Sequence, residues 1–192
     1  GSVLFDPKNL IITDNPPDNL ALAKELIAGS LSNGQPSIDL LDSFGFAVAV
    51  DGNNLVVGAA GDDVNRGSVQ LFTGVGDNFS GLTWQKILAS DDTAVGIPIL
   101  AGGDQFGSSL SLNGDLLAVG APFTDSGKGA VYLFNGMEST NLSNLQLVTT
   151  LGSDPNIRPL NNDDHFGFAV SLNNSNLAVG ADRDDAGGSD LN

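Results

Sequence analysis

The stretch DRDDAGGSD at 182–190 holds Asp182, Asp184, Gly187 and Asp190 at the spacing of a calcium loop, with Ala186 at the fifth position. Carboxylates at alternate positions converge on one hard cation while a glycine permits the sharp bend. Two related acidic stretches precede it, GDDVNRG at 61–67 and FTDSGKG at 123–129. They make Asp182, Asp184, Asp190, Asp62, Asp63 and Asp125 the candidate metal ligands, with Ca2+ the cation they would take. Asp63, Asp125 and Asp185 stand in register across the three stretches. The same carboxylates equally suit Asx-turns, which satisfy backbone N–H groups where a chain crosses between strands.

His165 is the only histidine, flanked by Asp163 and Asp164. That grouping suits acid/base work or a solvated turn. Ser43 and Gln105 hold its place in related stretches, so a multi-histidine metal site is excluded. No nucleophile elbow, Ser/His/Asp set, phosphate loop or dinucleotide fingerprint is discernible. The expectation is therefore no catalytic residue, no enzyme activity and no cofactor beyond Ca2+.

Of the 23 acidic residues only Glu25 and Glu138 are Glu, and there are 25 Gly. Asp and Gly favour turns where Glu favours helix, so this is a composition of short strands joined by many turns. A net charge of −16 argues against nucleic-acid or anionic-membrane partners, which need basic surface. Cysteine is absent, which excludes disulfides and thiolate chemistry. No apolar run approaches the length of a membrane span. Residues 1–10, GSVLFDPKNL, show neither Met nor a signal segment, so the chain is expected to be an interior piece of a longer protein.

Three Phe-Gly pairs organise the chain: Phe44-Gly45, Phe106-Gly107 and Phe166-Gly167, separated by 62 and then 60 residues. From each of these glycines to Gly58, Gly120 or Gly180 is 13 residues. A third mark follows, GSVQLF at 67–72 and GAVYLF at 129–134, and residues 1–5, GSVLF, repeat it with one residue missing. Repetition at this length means stacked supersecondary units. Each unit reads as four strands: FGFAVAV, a tight turn, NLVVGAA, then GSVQLF and LTWQKILA in the first. The near-continuous apolar run LLAVGA at 116–121 suits a strand buried on both faces. NLALAKELIAG at 19–29 aligns with a fourth strand, although Ala, Leu, Lys and Glu also suit helix.

A recurring four-stranded unit of about 60 residues is a propeller blade, because radial repetition covers both faces of each sheet. The phrases Phe-Gly…Gly-Ala-Pro, with Pro122 completing the motif in the middle copy, resemble the FG-GAP repeat of integrin α-subunit heads and large bacterial surface proteins. The opening VLFDPKNLIITD at 3–14 resembles segments of large secreted bacterial adhesins. The resemblance implies an all-β fold, a propeller segment of four-stranded antiparallel blades in an incomplete ring. The expected divisions are an outer half-blade at 1–41, blades at 42–103 and 104–163, and an inner half-blade at 164–192. The family's calcium loop lies between the first and second strands, and here those turns are too short and too poor in oxygens for it to be carried over.

Phe72, Trp84, Tyr132 and Phe134 fall at repeated strand positions and are expected to pack between blades. Asn78, Asn141 and Asn173 are glycosylation acceptors only if the source glycosylates. Charge density is nearly equal on the two loop faces, whereas the long segments 30–43, 90–105 and 152–165 differ most between units. The resemblance implies a non-enzymatic, extracellular or cell-surface module for recognition, adhesion or scaffolding. Its partners would be a protein or glycan at the rim loops, and further blades from the same chain or another copy. The alternatives are an accessory propeller of a larger secreted enzyme and a calcium-stabilised structural repeat.

Overall fold

The computed structural model describes residues 9–13, 22–27, 41–74, 81–152 and 159–184, and side chains from residue 41 onward except Thr140. Two four-stranded antiparallel sheets follow the sequence units. The first is β3 (Phe44–Asp51), β4 (Asn54–Ala59), β5 (Ser68–Thr73) and β6 (Thr83–Leu88), paired in chain order. The second is β7 (Ser109–Asn113), β8 (Leu116–Ala121), β9 (Ala130–Asn135) and β10 (Gln146–Leu151), again in chain order. A third unit contributes the hairpin β11 (Phe166–Asn173) and β12 (Asn176–Ala181). The architecture is all-β, an incomplete propeller of blades.

Ahead of these lies a two-stranded antiparallel pair, β1 (Asn9–Thr13) and β2 (Leu22–Ile27). The segment whose composition fits both helix and strand is thus strand where it is described. Residues 1–5, where sequence alignment puts a third strand, lie outside the described residues; the strand observed nearby is at Asn9–Thr13.

The middle strands explain the apolar runs. Leu55, Val56, Val57 and Ala59 in β4 are at most 3% exposed, and Leu117, Ala118, Val119 and Ala121 in β8 are fully buried. A strand with partners on both edges and packing on both faces has no solvated side, so alternation disappears. Each fully buried Val or Leu there contributes about 1.5–3 kcal/mol. The core they enter includes Phe106, Tyr132 and Phe134, with Phe106 meeting Tyr132 edge-on at 5.2 Å and Phe134 at 6.4 Å. Trp84, in register with Phe72, donates its indole N–H to Gln70 Oε1 at 2.8 Å.

The first strands of neighbouring units stand side by side, β3 against β7 and β7 against β11. The linking segment 90–105 is drawn into the same core through Val95, Ile97 and Leu100, each at most 2% exposed. Arg66 Nε donates to the Leu100 carbonyl, and the Leu147 N–H to the Val95 carbonyl, pinning this segment between sheets.

Candidate functional site

The residues that recur in sequence meet at the junctions between blades. Gly107 and Gly167 have φ of +92°, a conformation that a Cβ strains, and Gly45 has +87°. Ladder register shifts at this point in β3 and β11, so the Phe-Gly pairs at 44–45 and 166–167 each form a bulge. The preceding blade answers with its own glycine. A Cβ on Gly58 would strike the Gly107 carbonyl oxygen, and one on Gly120 the Gly167 carbonyl oxygen. Gly67 and Gly129 face Phe106 and Phe166 backbone in the same way. The third mark in the sequence is therefore a landing site for the next unit's Phe-Gly.

The acidic loops form the other half of this contact. Asp63, Val64 and Asn65 have φ of 47°, 60° and 59°, and Asp125, Ser126 and Gly127 have 51°, 61° and 80°, so both loops make a left-handed turn. Such a turn costs roughly 1–2 kcal/mol per non-glycine residue. It points carbonyls at the next blade: Asn65 accepts from Gly103 and Gln105, and Arg66 from Phe106. In the second loop Ser126 accepts from Asp163, Gly127 from His165 and Lys128 from Phe166. In these two loops backbone carbonyls, not carboxylates, reach the next blade.

The carboxylates singled out for a cation have other neighbours. Asp63 Oδ2 pairs with Arg66 Nη1 at 2.9 Å and Asp125 Oδ2 with Lys128 Nζ at 2.8 Å. Asp182 Oδ1 lies 2.9 Å from His165 Nδ1, while Asp62 stands half-buried at the start of its turn and Asp184 is exposed. Asp190 and Asp185 fall outside the described residues. Among the described residues no three His, Asp or Glu side chains are grouped to hold a metal ion.

His165 is 4% exposed and rests its ring edge on Phe123 of the preceding blade, centroids 4.6 Å apart. Its partner Asp182 comes from the end of β12, not from the adjacent Asp163 and Asp164. Asp164, also buried, accepts the Asn161 N–H at 2.7 Å, and Asp104 accepts the Ala101 N–H at 2.8 Å. Burial raises the Asp104 carboxyl above its ordinary value. Burial, with the Asp104 charge adding to it, pushes the Tyr132 hydroxyl up to about 12.

On the face carrying the first-to-second-strand turns, two blades enclose an open cleft of about 520 Å3. Asp51, Asn53 and Asn54 line one wall, and Gly114, Met137, Glu138, Ser139 and Asn141 the other. Asp51 Oδ2 accepts the Gly114 N–H at 2.6 Å and Asn54 Nδ2 donates to the Met137 carbonyl at 2.8 Å, which fixes the floor. Asn53, Glu138 and Asn141 are exposed above it. Sequence reasoning favoured the long linking segments and missed this cleft, because its walls come from residues 60 to 90 positions apart. The one signal was the polar residue closing each first strand, Asp51, Asn113 and Asn173 in register.

A comparison with curated proteins finds no match. The FG-GAP repeat family model matches residues 40–72, 84–134 and 160–191, more than half of the chain and each segment spanning a Phe-Gly to Gly-Ala stretch. With its blades joined through those very residues, the chain belongs to the FG-GAP repeat family.

Proposed function

We propose that the chain is a non-enzymatic recognition module of an extracellular or surface protein, binding a protein or glycan ligand in loops at the rim of its blades. The cleft between the first two blades carries this reading. Its floor is fixed by inter-blade hydrogen bonds, while Asn53, Glu138 and Asn141 leave amide and carboxylate groups facing solvent. A rigid scaffold with polar groups displayed on loops is the usual form of a binding surface. FG-GAP repeats typically occur in extracellular or surface proteins, and no helix among the described residues is long and apolar enough to cross a membrane.

The test is binding of the purified chain to arrays of glycans and extracellular-matrix proteins, repeated with Asn53→Lys and Glu138→Lys. A bound class lost in both variants, with the β-sheet circular dichroism unchanged, supports the reading. Binding that ignores both variants, or no binding at all, overturns it. The accessory-domain alternative is tested on the coding sequence beside this segment, where a nucleophile, base or metal set would establish an enzyme.

A further inference from the structure

Val64 goes against two preferences at once. Its φ of 60° lies where a β-branched side chain is strained, and it is 76% exposed, so packing does not offset the strain. The turn itself does not require valine, because Ser126 makes the equivalent turn at φ 61° in the next unit. Ile99, on the segment that links the two blades, is 78% exposed although Ile97 and Leu100 beside it are buried. The segments that carry Val64 and Ile99 are clasped to each other. Arg66 Nε donates to the Leu100 carbonyl, Asn65 accepts from Gly103 N–H, and a Cβ on Gly102 would lie 3.9 Å from Val64 Cγ1.

One unit later the same positions are polar. Counted back from Asp104 and Asp164, Ala101 and Gly102 give way to Asn161 and Asn162, Ile99 to Pro159, and Val64 to Ser126, all exposed. The repeat thus accepts polar side chains here, and the apolar set is particular to the first junction. A further blade is not what this surface awaits. It lies on loops of a junction already closed by β3 against β7 and between two complete four-stranded sheets. Its loops join second to third and fourth to first strands, so they stand at the end of the antiparallel blades opposite the polar cleft.

Charge decides what fits this surface. Its two segments carry Asp62, Asp63, Asp91 and Asp92 at least partly exposed. Asp63 is tied to Arg66, and Asp92 lies 3.8 Å from Lys86. Asp91 bonds the Pro98 carbonyl through its backbone N–H, next to Ile99, and has no ion-pair partner among the described residues. Four carboxylates against two cations leave a negative rim. A second copy would bring the same rim and a net charge of −16 against it, whereas a basic segment meets no such repulsion.

We propose that Val64 and Ile99 anchor a docking surface for a protein segment that presents an apolar side chain flanked by Lys or Arg. Covering two exposed β-branched side chains supplies the affinity, and the surrounding carboxylates select the sign of the partner and speed its encounter. This inference goes beyond the cleft reading and does not depend on it, since it uses the opposite loop face.

The test is selection from a random peptide display library on the purified 192-residue chain, followed by fluorescence anisotropy of the enriched peptides. The expected peptides carry an apolar residue between Lys or Arg. Val64→Ser and Ile99→Asn should each weaken their binding about tenfold, the scale of losing one anchoring side chain. Raising salt from about 0.05 to about 0.3 M should weaken it as well, because exposed charges are then screened. Both substitutions replace exposed side chains, so circular dichroism and melting are expected to stay unchanged. No enriched peptide, enrichment of acidic or uncharged peptides, or affinities that ignore both substitutions overturns the proposal. So does a sedimenting mass that doubles with concentration and returns to one chain in Val64→Ser, which would make a second copy the occupant.

Discussion

β8 and β12 have nearly the same sequence, LLAVGA and NLAVGA, and opposite surroundings. Every residue of β8 from Leu117 to Ala121 is buried, while no residue of β12 is. Both hairpins keep their register, so local sequence and pairing suffice for the hairpin itself. Among the described residues β12 has neither a third strand on its edge nor a Phe-Gly pair on its glycine. The difference separates two contributions that composition cannot: the hairpin is local, and the blade is made by its neighbours.

The largest effect should come from removing an anchor of the closed junction. Phe106 is fully buried against Tyr132 and Phe134, and Phe106→Ala should cost about 3–5 kcal/mol in urea unfolding. Phe166, in register but half-buried, should cost about half as much when truncated. Equal losses would mean that the third unit is as tightly enclosed as the second.

The glycines sharpen the comparison further. Gly120→Val drives a branched side chain into the Gly167 backbone, which cannot swing aside as a side chain can, and should cost about 3 kcal/mol. Gly180→Val meets open surface and should stay within about 0.5 kcal/mol of the starting stability. Thermal melts of the two variants side by side decide the matter. A damaging Gly180→Val in the isolated chain would show that something already covers that face.

How much of this was legible in the sequence follows the same division. Strand order within the two full blades, the two-residue turns and the core positions of Tyr132 and Phe134 could be read, because alternation and turn chemistry act over a few residues. The segment at 19–29, read as a strand by alignment although its composition also suits helix, is strand at Leu22–Ile27 through pairing with β1, which is not a local property. The left-handed turns were not legible either. Val64 at φ 60° is a β-branched residue where glycine or asparagine would be expected, and it is held there because Asn65 and Arg66 must turn their carbonyls to the next blade. Nothing within the loop announces that demand. Likewise His165 pairs with Asp182, 17 residues away, although two aspartates adjoin it in sequence.

A pH titration probes the enclosed junction from within. Tyr132 has a folded value of about 12 against an ordinary 10, because burial disfavours the phenolate and the Asp104 charge adds to the penalty. The folded value is raised, so the stability tied to it is complete below pH 10 and is lost as pH climbs toward 12. The full difference corresponds to about 2.7 kcal/mol. Tyr132→Phe should flatten the alkaline limb of the stability profile between those values. Asp104 is raised by burial as well, so its favourable contribution is present below its ordinary value of 3.8 and lost as pH rises through the folded one. Asp104→Asn keeps an oxygen for the Ala101 N–H and should change neutral-pH stability by at most about 1 kcal/mol, toward gain. A steep loss instead would mean that the charge itself holds the junction.

The smallest effect tests whether the acidic loops act through carboxylate or backbone. Asp63 and Asp125 are exposed, and each pairs with a basic side chain three residues on, an arrangement that contributes roughly 0–1 kcal/mol in water. Their turns are fixed by other bonds, Gly67 N–H to the Asp62 carbonyl and Gly129 N–H to the Thr124 carbonyl, both at 3.0 Å. Asp63→Asn and Asp125→Asn tolerate the left-handed conformation, because an amide side chain is at home there. Each should therefore move stability by under about 0.5 kcal/mol. Millimolar Ca2+ provides the decisive comparison. If it raises the melting temperature of the unaltered chain and Asp125→Asn abolishes the rise, the loop gathers a cation and the carboxylates matter. If the melting temperature is the same with and without Ca2+ in both, the loops serve the blades through their carbonyls, and the acidic side chains ride on a turn whose shape the next blade dictates.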